Sequence, residues 1–64
     1  MPYSRTKMRD AIEEFVLDER HRRLLHLKLV DGLTFEAAAA AANYSTQHAK
    51  RLCAQWKPFL LEQL

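Results

Sequence analysis

Gly32 divides this chain, because a sequence of 64 residues with one glycine and two prolines has few places where a helix is forced to stop. Lacking a Cβ, glycine enters the left-handed conformation that ends helices at little cost. Gly32 therefore reads as the stop of a helix lying behind it. That helix opens at Asp18, whose carboxylate suits the N-cap, with Glu19 where negative charge favours the helix dipole. Leu24, Leu25, Leu27 and Val30 supply its apolar stripe, and Arg20, Arg22, Arg23 and Lys28 occupy the remainder. Upstream, Met8, Ile12, Phe15 and Val16 fall at i, i+4, i+7 and i+8. One face of an N-terminal helix over about 5–16 follows, capped by Ser4 or Thr6.

Beyond Gly32, Thr34 is a good N-cap for a short third helix over about 35–42, built from strong helix formers. Asn43 and Tyr44 break it, since asparagine tolerates the left-handed conformation of a tight turn. Ser45 then caps a fourth helix that starts at Thr46. Ala49, Leu52, Cys53 and Trp56, at i, i+3, i+4 and i+7, form its buried face. Pro58 cannot continue an interior hydrogen-bond ladder, so it is expected to kink this helix or to open a last short one over 58–64. The expected fold class is all-α: a compact four- to five-helix domain covering 1–64, with a helix-turn-helix over about 34–57.

Composition narrows the functional classes. Cys53 is the only cysteine, so no disulfide is available, and a reducing, cytoplasmic setting is expected. The basic N-terminal stretch runs into no apolar segment of the signal-peptide kind, and the longest uncharged run, 37–47, is too short and too alanine-rich to span a bilayer. No membrane association is expected. His21, His26, His48 and Cys53 show neither CxxC nor HxxxH spacing, so no metal and no cofactor are expected. Cys53 falls on an apolar helix face and reads as a small core residue. No Ser-His-acid set, glycine-rich loop or carboxylate pair stands out, and the chain does not read as an enzyme.

The net charge of +2 matters less than its arrangement. Arg5, Lys7 and Arg9 precede an acidic block of Asp10, Glu13, Glu14, Asp18 and Glu19. Between 46 and 61 the only formal charges are Lys50, Arg51 and Lys57, with His48 among them. A basic C-terminal segment beside an acidic middle suits a polyanion-binding face; ordinary solvated helix surfaces would look the same. Arg20, Arg22 and Arg23 are candidates for phosphate contacts or for pairing with Asp18, Glu19 and neighbouring acids. Arg5, Lys7 and Arg9 form either a basic arm or solvated end charges.

Gly32-Leu33-Thr34-Phe35-Glu36, the alanines after it, and Asn43-Tyr44-Ser45-Thr46-Gln47-His48-Ala49-Lys50-Arg51-Leu52 together carry a resemblance. This stretch, with the preceding 17–27, resembles the C-terminal helix-turn-helix domain (region 4) of sigma-70 family factors and related small phage and prophage transcriptional regulators. The likeness covers about 17–59. It departs from the family pattern at Ala38, Ala42 and Ala49, where larger aliphatic residues are usual, and at Asn43, where glycine is usual. Each missing side chain would cost about 2–5 kcal/mol if its site could not collapse. Helices three and four are thus expected to pack unusually close, or a partner fills the gap.

The resemblance implies a sequence-specific duplex-DNA-binding regulator of transcription, a stand-alone reader rather than a complete initiation factor. In a helix-turn-helix the second helix enters the major groove with its N-terminal residues at base edges. Thr46, Gln47 and Arg51 occupy base-reading positions by this likeness, with His48 available beside them. Glutamine can pair bidentately with adenine and arginine with guanine, and threonine can bond either or touch a thymine methyl. Lys50, Ser45 and Thr34 are the phosphate candidates. Double-stranded DNA is the expected partner, with RNA polymerase contact and homodimerisation as open additions. Two alternatives stand beside this reading. One is a protein–protein interaction module using Trp56, Phe59, Leu60, Leu61 and Leu64; the other is a DNA-binding subunit of phage packaging.

Overall fold

The computed structural model describes residues 3–64. Four helices follow one another: α1 (Arg5–Phe15), α2 (Glu19–Leu25) continuing through a π-helical turn at His26–Val30, α3 (Phe35–Ala42) and α4 (Thr46–Glu62). The fold is all-α, with no strand among the described residues. Each helix starts on a side-chain cap that satisfies a backbone donor the helix leaves unpaired. Ser4, not Thr6, caps α1 by accepting from the Lys7 N–H at 3.4 Å. Asp18 accepts from Arg20 and His21 N–H groups at 2.9 and 3.3 Å. Thr34 accepts from Ala37 at 3.2 Å, and Ser45 from His48 at 3.1 Å.

The helix stops follow the same local logic. Asn43 takes φ 62°, ψ 41°, and the Tyr44 N–H reaches back to the Ala39 carbonyl at 2.9 Å. This is the Schellman closure, in which a left-handed residue returns the chain to the last carbonyls of its helix. Gly32 also has positive φ, at 76°, but the turn it closes is wider. The Asp31 N–H bonds the His26 carbonyl at 3.0 Å, five residues back, and the Leu33 N–H bonds that of Leu27 at 3.1 Å. One extra residue per turn changes which side chains face inward. Leu25 shares one core cluster with Leu29 and Val30, Leu24 is buried in another, and Leu27 of the expected stripe is only half-buried.

Pro58 neither ends α4 nor opens a new helix, so 58–64 is not a separate C-terminal segment; α4 runs through it for 17 residues to Glu62. Pro58 itself is exposed. The residues beyond it are held by packing: Leu60 is fully buried against Met8, Ile12 and Val16, and the Phe59 ring meets that of Phe15 edge-on at 5.4 Å. A lost backbone bond at a proline costs about 3 kcal/mol, and one buried leucine offsets about 1.5–3 kcal/mol of it. At 1.5 Å per residue α4 is about 26 Å long, close to the 28 Å longest extent of the molecule. It touches α1, α2 and α3.

Two clusters make the core. One joins Met8 and Ile12 of α1 to Leu25, Leu29 and Val30, with Cys53 and Leu60 of α4. The other joins Leu24 to Ala38, Ala39 and Ala42 of α3 and to Ala49 and Leu52 of α4. Phe35 and Trp56 touch both. Ala38 and Ala49 are 0 % exposed, so the small residues are covered within the chain itself. Close approach of α3 to its neighbours, rather than an open gap, accommodates them. Burial pushes the Cys53 thiol above its ordinary range, as its place on the apolar face of α4 leads one to expect.

Candidate nucleic-acid interface

The orientation of α4 follows from its second turn. Ala49 and Leu52 are drawn into the alanine-lined cluster, and helical geometry then turns Gln47, His48, Lys50 and Arg51 to solvent. All four are exposed. Thr46 is half-buried, so of the expected base-reading residues it is the least free. Ser45 and Thr34 are exposed at the starts of α4 and α3. Each hydroxyl oxygen accepts its own cap bond, which leaves its O–H to donate outward. Between Thr46 and Leu61 α4 carries no acidic residue. Among the described residues no carboxylate lies within 4 Å of Lys50 or Arg51.

The turn between α3 and α4 is braced from α2. Arg20 donates to the Asn43 carbonyl at 3.2 Å and its guanidinium lies 4.8 Å from the centre of the Tyr44 ring. Arg23 donates to the Ala41 carbonyl at 3.3 Å. Cations at these carbonyls complement the negative end of α3 and supply partners for acceptors a helix leaves open. Tyr44 in turn meets His48 edge-on, ring centres 4.8 Å apart, with His21 6.4 Å away on its other side. The His48 ring therefore stands against a fixed neighbour while remaining exposed.

The arginines of α2 do not pair with Asp18 or Glu19. Arg22 turns instead to α1: it meets the Glu13 carboxylate at 3.1 Å and donates to the Val16 and Glu13 carbonyls at 3.0 and 3.1 Å. Asp18 is occupied by its cap bonds, and the two N–H groups it accepts hold its carboxyl below the usual range. Arg5 is a tether rather than part of a loose arm, donating to the Val30 carbonyl at 2.9 Å with Asp31 3.9 Å away. Lys7 and Arg9 are exposed on α1.

Sequence reasoning missed the bracing by Arg20 and Arg23, because their partners are backbone carbonyls about twenty residues away and no side-chain pattern announces them. It also missed Lys28, whose ammonium lies 4.6 Å from the centre of the Phe35 ring. A broad open groove of about 860 Å³ lies between α2 and the end of α3, lined by Arg20, Arg22, Arg23, Glu13 and Glu19 among others. It holds both signs of charge and none of the expected site residues. Among the described residues no three His, Cys, Asp or Glu side chains gather as a metal site would require, and no helix is long and apolar enough to cross a membrane. No protein family, curated protein or solved structure matches the chain. Function has to be argued from the residues themselves.

Proposed function

We propose that this chain is a sequence-specific duplex-DNA-binding regulator of transcription, acting in the cytoplasm, that sets the start of α4 in the major groove. One observation carries the reading: Gln47, His48, Lys50 and Arg51 are exposed together on the first turns of α4, beyond a turn braced by Arg20 and Arg23. A helix start presented in this way, basic and free of acids, matches what groove entry requires. Gln47 and Arg51 are the side-chain types that pair with adenine and guanine edges, with Thr46 and His48 beside them. Lys50, Ser45 and Thr34 would hold phosphates and set the register without reading sequence.

Selection of a preferred duplex from a random pool, followed by anisotropy titrations across a salt series, tests this. Each phosphate contact should add about −0.9 to the slope of log affinity against log salt. Arg51→Ala should flatten the base preference at one position, and Lys50→Ala should weaken binding to every sequence. Absence of binding at low salt would end the proposal, as would wild-type behaviour of both variants on the selected site.

A second reading, a protein–protein module, is favoured by the apolar residues left open away from that face. Phe59, Leu61 and Leu64 are each about 40 % exposed, and Leu17 is 81 % exposed at the α1–α2 corner. RNA polymerase, another phage protein or a second copy of the chain would be the partner. Affinity insensitive to salt and unaffected by Arg51→Ala would favour this module over the DNA reader.

A further inference from the structure

Lys28 belongs to the π-helical turn, Phe35 opens α3 and Lys50 lies in the second turn of α4. The fold brings the three together. The Lys28 ammonium lies 4.6 Å from the centre of the Phe35 ring and that of Lys50 lies 6.0 Å from the same centre. An aromatic face attracts a cation, but two ammonium groups sharing one ring also repel each other. Here, among the described residues, no carboxylate lies within 4 Å of either lysine.

Phe35 is a firm support, since its ring packs on both core clusters. The two ammonium groups thus approach one fixed ring from two different elements. Each ammonium has three donors and no acceptor. The complement is an anion rich in oxygen atoms, or two such anions in succession. Since Lys50 borders the face assigned to DNA above, that anion is the phosphodiester backbone of one strand.

We infer that Lys28 and Lys50, both beside the Phe35 ring, form a clamp on the DNA backbone, with Lys28 a phosphate contact of equal weight to Lys50. This rests on the DNA-binding reading and deepens it. The clamp fixes where the backbone runs relative to α4 and carries no base preference of its own.

The test uses the full chain with two duplexes, a selected preferred site and a scrambled one, in sodium chloride from 50 to 200 mM. Parent, Lys28→Gln, Lys28→Ala, Lys50→Ala and the Lys28→Ala/Lys50→Ala double variant are compared, with circular dichroism checking that each is folded. Lys28→Gln keeps most of the stem, so it separates charge from packing. Each Lys28 variant should reduce the salt slope by about 0.9, and the double variant by about twice that. Put as affinity, each lost contact removes about 3.5-fold of the parent's decline between the two salt concentrations. The ratio of preferred to scrambled affinity should stay at the parent's value. A parent that shows no salt-dependent binding overturns both the DNA reading and the clamp. Normal binding by the parent, a reduced slope for Lys50→Ala and an unchanged slope for Lys28→Gln overturn the clamp alone.

Discussion

Replacing Ala38 by leucine tests whether α3 lies against its neighbours or stands off from a space that a partner would fill. Ala38 is 0 % exposed, and its surroundings are Leu24, Ala42, Ala49 and Leu52, with Phe35 and Trp56 at the rim. Leucine adds three carbons to a place already closed. Forcing extra methylene groups into a packed core costs about 1–3 kcal/mol. A domain of this size has about 3–10 kcal/mol of stability in total, so the loss is large but leaves a folded state to measure. At about 4–8 °C for each kcal/mol, Tm should fall by at least about 4 °C, read by circular dichroism on dilute protein. Ala40→Leu, on the exposed side of the same helix, is the control and should change stability by no more than about 0.5 kcal/mol. A Tm for Ala38→Leu equal to or above the parent's would refute the reasoning, because it would mean that room was waiting beside α3.

Other perturbations address the helix ends and the proline. Pro58→Ala restores an N–H donor in an exposed part of α4 and should stabilise the protein by about 1–3 kcal/mol in urea unfolding; an unchanged or lower midpoint contradicts the account of that helix. At Asn43, with φ 62°, glycine should be tolerated without loss while alanine costs about 1–2 kcal/mol. Equal midpoints for the two variants would show that the turn relaxes out of the left-handed region. The folded-state pKa of Asp18 is lowered by its cap bonds, so its contribution is present above the ordinary aspartate value and fades as pH falls through the lowered one. Asp18→Asn keeps a capping side chain that does not titrate, and its stability should depend less steeply on pH in that acid range; identical pH profiles would remove Asp18 from the acid response.

Much of the candidate site was legible in advance because its determinants are local. Ser45 before Thr46 and the apolar spacing of Ala49, Leu52 and Cys53 set both the start of α4 and its inward face. The exposure of Gln47, His48, Lys50 and Arg51 follows from that phase. Thr46 departs from it, half-buried at the helix start where the chain is still turning in from Tyr44. The destinations of Arg20, Arg22, Arg23 and Lys28 were not legible. A long cationic side chain reaches several ångströms in any direction, and its partner depends on which helix lies within that reach. Arg22 met Glu13 rather than the acids beside it in sequence, since Asp18 was already engaged by backbone donors.

Cap residues, a left-handed asparagine, a lone glycine and the spacing of apolar residues were enough to determine an all-α chain of four or five helices, the starts of the middle ones and which face of most of them turns inward. Each depends on interactions within a few residues along the backbone. The widened turn at His26–Val30, the continuation of α4 through Pro58 and the bracing of the α3–α4 turn by Arg20 and Arg23 were decided only by tertiary structure. In all three, contacts between residues distant in sequence outweigh a local preference: burial of Leu29 and Val30 favours the wider turn, burial of Leu60 outweighs a missing hydrogen bond, and carbonyls at the end of α3 draw arginines from another helix.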